Sequence, residues 1–476
     1  MDKKNGSTNM TKMPSVISIN NGDFNMSSTL KLADNDVIQK NARNSALSKS
    51  DLDLYDPFEH RDKSHTTSTR GALTHLLKSS LGSGILAMPH AFLHGGLLFG
   101  AIGTIVVGFI CTHCVQILVD CSQKLSARVK RPTLGFEETA EVAFNSGPEK
   151  YRGCAKFARA FVKCALFATY YFGNTVYVVF VATSFQQVLE NQLNFHMDIR
   201  LWILLVTIPL VPLGIIRTMK ALVPLSITAL VLIMFGLSIT LYYTFTDIPP
   251  LSQRELITHP KDWPLFFATV LFAMEGIGTV LPIENSMEHP QHFLGCPGVL
   301  NTAMSVVVVL YGFVGFFGYA RFGPDTKASI TLNLGSETSL GELVKILVAL
   351  SILFTYGLQF TVPTEIVWKK VGPMVSEAKQ EVGYYVLRAT MILGTVIIAV
   401  IVPDLGPFIS LVGAVCFSIL GLFCPAIIEL MTYYEEGYGP MKYLLVKDTI
   451  VIFLAAAALI SGTYTSIQEI VEFYMK

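Results

Sequence analysis

Long apolar runs recur along most of this chain, separated by short polar stretches, and two of the runs are interrupted in the same way. They fall at roughly 73–94, 97–119, 157–186, 201–217, 221–245, 264–284, 299–320, 340–366, 384–402, 405–430 and 447–471. Each is near the ~20 residues an α-helix needs to cross a bilayer, so the pattern predicts an all-α integral membrane protein of about 11 transmembrane helices. The first run contains Gly82-Ser83-Gly84-Ile85-Leu86-Ala87-Met88-Pro89, and the sixth contains Gly276-Ile277-Gly278-Thr279-Val280-Leu281-Pro282. Glycine costs about 1 kcal/mol in a helix interior and proline about 3, so both helices are predicted to unwind near mid-membrane. Close helix packing is the plainer explanation, but residues two apart lie on different helix faces, and the proline removes a further backbone donor. Paired interruptions in corresponding halves point to the substrate site of a transporter.

Runs 1–5 and 6–10 form two units of five, each opening with a broken helix. An odd number of helices per unit inverts the second, which is the leucine-transporter-like 5+5 arrangement, with repeats at about 73–245 and 264–430 and helix 447–471 outside them. Residues 1–70 are too polar to bury a core and are expected to form a disordered tail ahead of a membrane domain at 71–476. With no signal-type run before residue 71, the first span serves as its own insertion signal. Lys and Arg gather in alternate loops, among them Arg61, Lys63 and Arg70, then Lys124, Arg128, Lys130 and Arg131, then Lys369, Lys370 and Lys379. The positive-inside bias therefore puts the N-terminus in the cytosol and Met475-Lys476 on the opposite side. Glycosylation sequons beginning at Asn5, Asn9 and Asn25 then lie in the cytosol and stay unmodified.

Composition agrees with a polytopic chain: of 476 residues, 51% are hydrophobic and 15% charged, with zero formal net charge, so nothing suggests a nucleic-acid partner. The eight cysteines map to spans or cytosolic loops, where disulfides are rare. Cys111-x-x-Cys114, with His113 between, resembles half a zinc site but lacks a second pair, and His90 and His94 lack a third ligand, so no metal is assigned. An intramembrane enzyme would need a nucleophile and base or metal ligands in one cavity, and no paired Asp motif or His-Glu-x-x-His occurs.

Two long motifs carry a family resemblance: Thr74-His75-Leu76-Leu77-Lys78-Ser79-Ser80-Leu81-Gly82-Ser83-Gly84 through Pro89, and Phe272-Ala273-Met274-Glu275-Gly276-Ile277-Gly278 through Met287. With Gly318-Tyr319-Ala320-Arg321-Phe322-Gly323 after the seventh run, they resemble the proton-coupled amino acid transporter family (solute carrier family 36-like, within the amino acid/auxin permease superfamily) from about Tyr55 to the C-terminus. The resemblance implies symport of small neutral amino acids with protons by alternating access, with no cofactor beyond the coupling proton, at plasma or lysosomal membranes. It also implies a functionally important histidine at His75.

An amino acid zwitterion needs donors for its carboxylate and acceptors for its ammonium, and an unwound helix frees both kinds of backbone group. The carboxylate is assigned to the amides around Gly82, Ser83 and Gly84, at the positive end of the following half-helix. The ammonium is assigned to carbonyls of Phe272, Ala273 and Met274, with Gly276 leaving space beside them. Glu275 adjoins the second break, where it accepts the ammonium, carries the proton or holds the break together; a mid-membrane charge costs about 2.5–3.5 kcal/mol and is seldom idle. His75 is either the proton-linked group or a neutral histidine bonded between helices, since imidazole titrates near pH 6.5. His113 is a second proton candidate, and Glu284 is expected to be solvated or gating. Lys78 is considered as a stand-in for a coupling sodium, and Tyr170, Tyr171 and Phe172 as pocket-lining or core aromatics. Tyr55-Asp56-Pro57-Phe58 fits a Tyr-x-x-apolar pattern read by sorting adaptors. The alternative is an amino acid sensor that uses the same pocket with little net transport.

Overall fold

A computed structural model describes residues 55–61, 66–216, 219–246, 248–274, 276–335 and 339–475. The described chain is helical apart from its loops and one isolated bridge, between Thr67 and Met287. The first span is two half-helices, α1 (Thr69–Ser80) and α2 (Gly84–Gly95), followed by α3 (Leu97–Arg128) and a short helix α4 (Phe136–Ser146). Then come α5 (Ala155–Leu193), α6 (Ile199–Ile215) and α7 (Met219–Phe245). The sixth span is again two pieces, α8 (Trp263–Ala273) and α9 (Ile277–Asn285), and α10 (Val299–Phe322), α11 (Ser339–Gln359), α12 (Thr361–Val371) and α13 (Gln380–Ile401) follow. The tenth span runs from α14 (Leu405–Val412) through π-helical turns at Gly413–Phe423 into α15 (Cys424–Thr432), and α16 (Tyr443–Met475) closes the chain.

Among the described residues, nine helical stretches are long and apolar enough to cross a membrane. The broken pair 69–95 and the 17-residue apolar helix Ile199–Ile215 occupy the other two positions where spans are predicted. The broken helices form the centre: α2 packs against both α8 and α10, while α1 packs against α9 and α10. Large apolar side chains at the periphery, such as Ile208, Val231, Ile397 and Phe453, are more than half exposed, as lipid-facing positions require. The last helix is not detached, for α16 leans on α8, α14, the π-helical turns and α15.

Residues 55–61, read from sequence as part of a polar tail, are seated on the helices. Asp56 Oδ1 accepts the Phe58 N–H at 2.8 Å, and the Tyr55 and His60 rings stack at 4.5 Å, so the Tyr55–Phe58 sorting pattern is folded into a turn. Arg61 is buried: its guanidinium donates to Glu284 Oε1 and to the Glu284 carbonyl, each at 2.9 Å, and to the Pro132 carbonyl at 3.2 Å. Gln123 donates to the same Glu284 oxygen at 2.8 Å. Glu284 is fully buried rather than solvated, because a cation distant in sequence reaches it. The remainder of the tail, the three sequons included, lies outside the described residues.

Candidate functional site

Each break has a local cause. α1 ends where Leu81 donates back to the Leu77 carbonyl, and the Tyr311 hydroxyl of α10 donates to the Ser80 carbonyl, occupying an acceptor that a continued helix would use. α8 ends at Ala273, and Gly276 holds φ at +152°, a conformation side-chain-bearing residues rarely adopt. Thr279 then secures the new helix by donating its N–H and hydroxyl to the Gly276 carbonyl at 2.9 and 2.8 Å. The two broken helices are tied together by a 2.6 Å hydrogen bond between the Ser79 and Thr279 hydroxyls.

Two adjoining cavities lie along these breaks, sharing Gly276, Ile277 and Phe417. The first runs toward α3, where Cys111 and Val115 line it; the second is bordered by Thr169 and Tyr170 of α5 and Gln359 of α11. No described residue lining either cavity is charged. Several polar groups nevertheless lack partners. Ser83 is buried, its hydroxyl has no hydrogen-bond partner, and its N–H bonds to no backbone carbonyl among the described residues. The Met274 carbonyl takes no backbone N–H among the described residues, and the buried Gln359 Oε1 is also unpaired. Buried polar groups left unmade cost about 1–3 kcal/mol each; Met274 and Gln359 line the cavities, while Ser83 stands in the first break and lines neither.

Of the residues nominated from sequence, Met274 and Gly276 line the cavities. Gly82 borders open space, with nothing within 4 Å of where its Cβ would stand. Gly84 packs directly on α8: an added Cβ would lie 2.6 Å from Ala273 Cα and 2.8 Å from the Ala273 oxygen. Close packing and unwinding thus coexist in one motif, Gly84 serving the first and Ser83 the second. Phe272 turns into the core, edge-on to Phe417 at 5.9 Å. Glu275 lies outside the described residues. His75 is exposed and Lys78 partly buried, and neither lines a cavity. His113 stacks on Phe109 and faces Gln116, Glu429 and Lys447 on the far side of α3 from the cavities. Among the three aromatics, Tyr170 lines the site, while Tyr171 donates to the Met391 carbonyl at 2.9 Å.

Sequence reasoning missed Ser79, Thr279, Thr169, Gln359 and Phe417. Gln359 had a legible signal: Pro363 follows four residues later, and its missing N–H leaves the Gln359 carbonyl without its helical donor. A polar residue just ahead of a proline in an apolar run marks a third local weakness in the bundle.

A polytopic helical bundle whose two interrupted helices open onto two adjoining cavities, with no charge among their described lining residues, has the architecture of a membrane carrier. The chain belongs to the transmembrane amino acid transporter family, whose model matches residues 65–468. It is 43% identical over 420 residues, 88% of this chain and 89% of the other, to "Proton-coupled amino acid transporter-like protein pathetic" of Drosophila melanogaster. It is 29% identical over 428 residues to "Vacuolar amino acid transporter 3" of Saccharomyces cerevisiae, covering 87% of this chain and 58% of that protein. A solved structure of a Na+-coupled sialic acid symporter, substrate-bound and outward-open, aligns over 91% of this chain and 97% of its own at 11% identity and a TM-score of 0.48.

Proposed function

We propose that this protein is a secondary active carrier that moves small neutral amino acids together with protons by alternating access. The observation that carries the reading is the set of unpaired polar groups at the two breaks and on the cavity wall. The Ser83 N–H and hydroxyl supply donors for a substrate carboxylate at the start of α2, where the helix dipole favours negative charge. The Met274 carbonyl and Gln359 Oε1 supply acceptors for the ammonium. A wall with no charge among its described residues suits a zwitterion with a small neutral side chain, and the proton-coupled name of the Drosophila relative supports the choice of ion. The cytosolic N-terminus follows from the distribution of Lys and Arg. A lysosomal or plasma membrane is the proposed residence, the vacuolar name of the yeast relative favouring the former.

The test is uptake of labelled alanine, glycine and proline into sodium-free proteoliposomes after a pH jump. Accumulation is expected to follow the inward proton gradient and to collapse with a protonophore. Binding of alanine without uptake would instead identify a sensor, and uptake indifferent to pH would remove the proton. A sharper expectation concerns Ser83→Ala. Removing an unpaired buried hydroxyl leaves the melting temperature of the empty protein unchanged or higher, while the apparent affinity for alanine falls roughly two- to twelvefold, the worth of one hydrogen bond. A loss of stability with affinity intact would place Ser83 in the packing alone.

A further inference from the structure

Beneath the cavities, on the other side of α3, three ionisable side chains meet where α15 and α16 pack. Lys447 Nζ lies 2.6 Å from Glu429 Oε2 and 3.5 Å from Asp448 Oδ1. Asp448 is fully buried, and neither of its carboxyl oxygens has a hydrogen-bond partner. The one ammonium thus stands beside both carboxyls, and Glu429 is itself buried.

Among the described residues, no second lysine or arginine is paired with these two carboxyls. From α3 the facing groups are His113, Cys114 and Cys121, with Asp120 further along, which accepts from the Tyr433 hydroxyl at 2.7 Å; Tyr438 approaches from the loop. α4 presents Glu141, already paired with Arg159 at 2.8 Å. The helices α8 and α14 and the π-helical turns contain no charged residue. Lys124 and Arg128 are both engaged by Glu436. Burial raises the Glu436 carboxyl, but the hydrogen bonds from Lys124 and Arg128 outweigh it and hold the group below its ordinary range. Two carboxylates against one ammonium would leave a net negative charge in a dry interior, a state that burial strongly disfavours.

We propose that Glu429, Lys447 and Asp448 form a proton-binding site of the carrier, holding one proton between the two carboxyls and transmitting its occupancy to the substrate cavity. The transmitting elements are visible. Phe417, Leu420 and Gly421 of the π-helical turns line the cavities, and the same helix continues into Glu429, about 12 Å beyond Gly421 at 1.5 Å per residue. In α3, Cys111 lines the cavity while His113 and Cys114 face the acid pair. π-helical turns are rare and recur at functional sites. Loss of the proton sets Glu429 and Asp448 in repulsion and alters how α15 is held to α16.

The role in transport rests on the proton-coupled reading above; proton binding itself does not, so two measurements separate them. In the full-length protein, infrared spectroscopy of the pH titration should show a protonated carboxyl band near neutral pH that disappears in Asp448→Asn and in Glu429→Gln. In proteoliposomes, Asp448→Asn should retain exchange of labelled alanine at symmetric pH while gradient-driven accumulation drops at least tenfold and its pH profile flattens. A wild-type protein that shows the carboxyl band but no pH-driven uptake would sink the symport reading and leave the proton site standing. A band that survives in both variants, or full gradient-driven accumulation by Asp448→Asn, would overturn the site.

Discussion

Arg61→Ala is expected to destabilise the detergent-solubilised protein by about 3–5 kcal/mol, the usual penalty for stranding one partner of a buried ion pair. Three hydrogen bonds from the guanidinium would vanish together, and Glu284 would keep only Gln123. Its second oxygen, Oε2, already lacks a partner, so the site has no spare donor to recruit. Replacing both partners with apolar residues should behave differently: Arg61→Met with Glu284→Leu removes the stranded charge and should recover most of the loss, because well-packed hydrophobic substitutes for buried ion pairs are often neutral. Thermal unfolding of the two variants checks this. An Arg61→Ala protein within about 0.5 kcal/mol of wild type, the ordinary range for a surface change, would mean that residues 55–61 do not hold α9. The pair bears on the proposed transport because α9, one half of a broken helix, is tied here to the N-terminal segment and to α3 at once.

What the sequence revealed and what it concealed divide along one physical line. Runs of apolar residues are local signals, so the sixth span, expected at 264–284, is found as Trp263–Asn285, and its break falls where glycine and proline weaken the helix. The breaks at Leu81–Ser83 and near Gly276 needed nothing beyond local cost. Helix α4 escaped notice because it is amphipathic and short; its signal was Glu138, three residues after Gly135, whose carboxylate accepts the Gly135 N–H at 3.1 Å. Arg61 and Glu284 are each visible in the sequence, but their separation of 223 residues makes the pairing illegible, so Glu284 reads there as solvated or gating. The cavity wall posed the same difficulty. Thr169, Gln359 and Phe417 come from three different helices, and only packing decides which face of each helix meets the breaks. His75 shows the converse, a residue prominent in its motif that the fold leaves exposed.

Gly84→Ala should reduce gradient-driven alanine uptake to less than about a tenth and lower stability by about 1–3 kcal/mol, the range for overpacking a close interface. The new methyl would sit 2.6 Å from Ala273 Cα and 2.8 Å from the Ala273 carbonyl oxygen. Both obstacles are backbone, so no side-chain rotation relieves them, and α2 must move away from α8. That movement separates the Ser83 donors from the Met274 acceptor, which is why function should suffer more than folding. Gly82→Ala supplies the internal comparison two residues away. Its methyl meets nothing within 4 Å, so stability should stay within about 0.5 kcal/mol of wild type, and any loss of uptake there reports occupation of the substrate space. If the two variants proved equally stable and equally active, the close approach of the two broken helices would have no part in shaping the site, and the substrate would have to be sought elsewhere in the bundle.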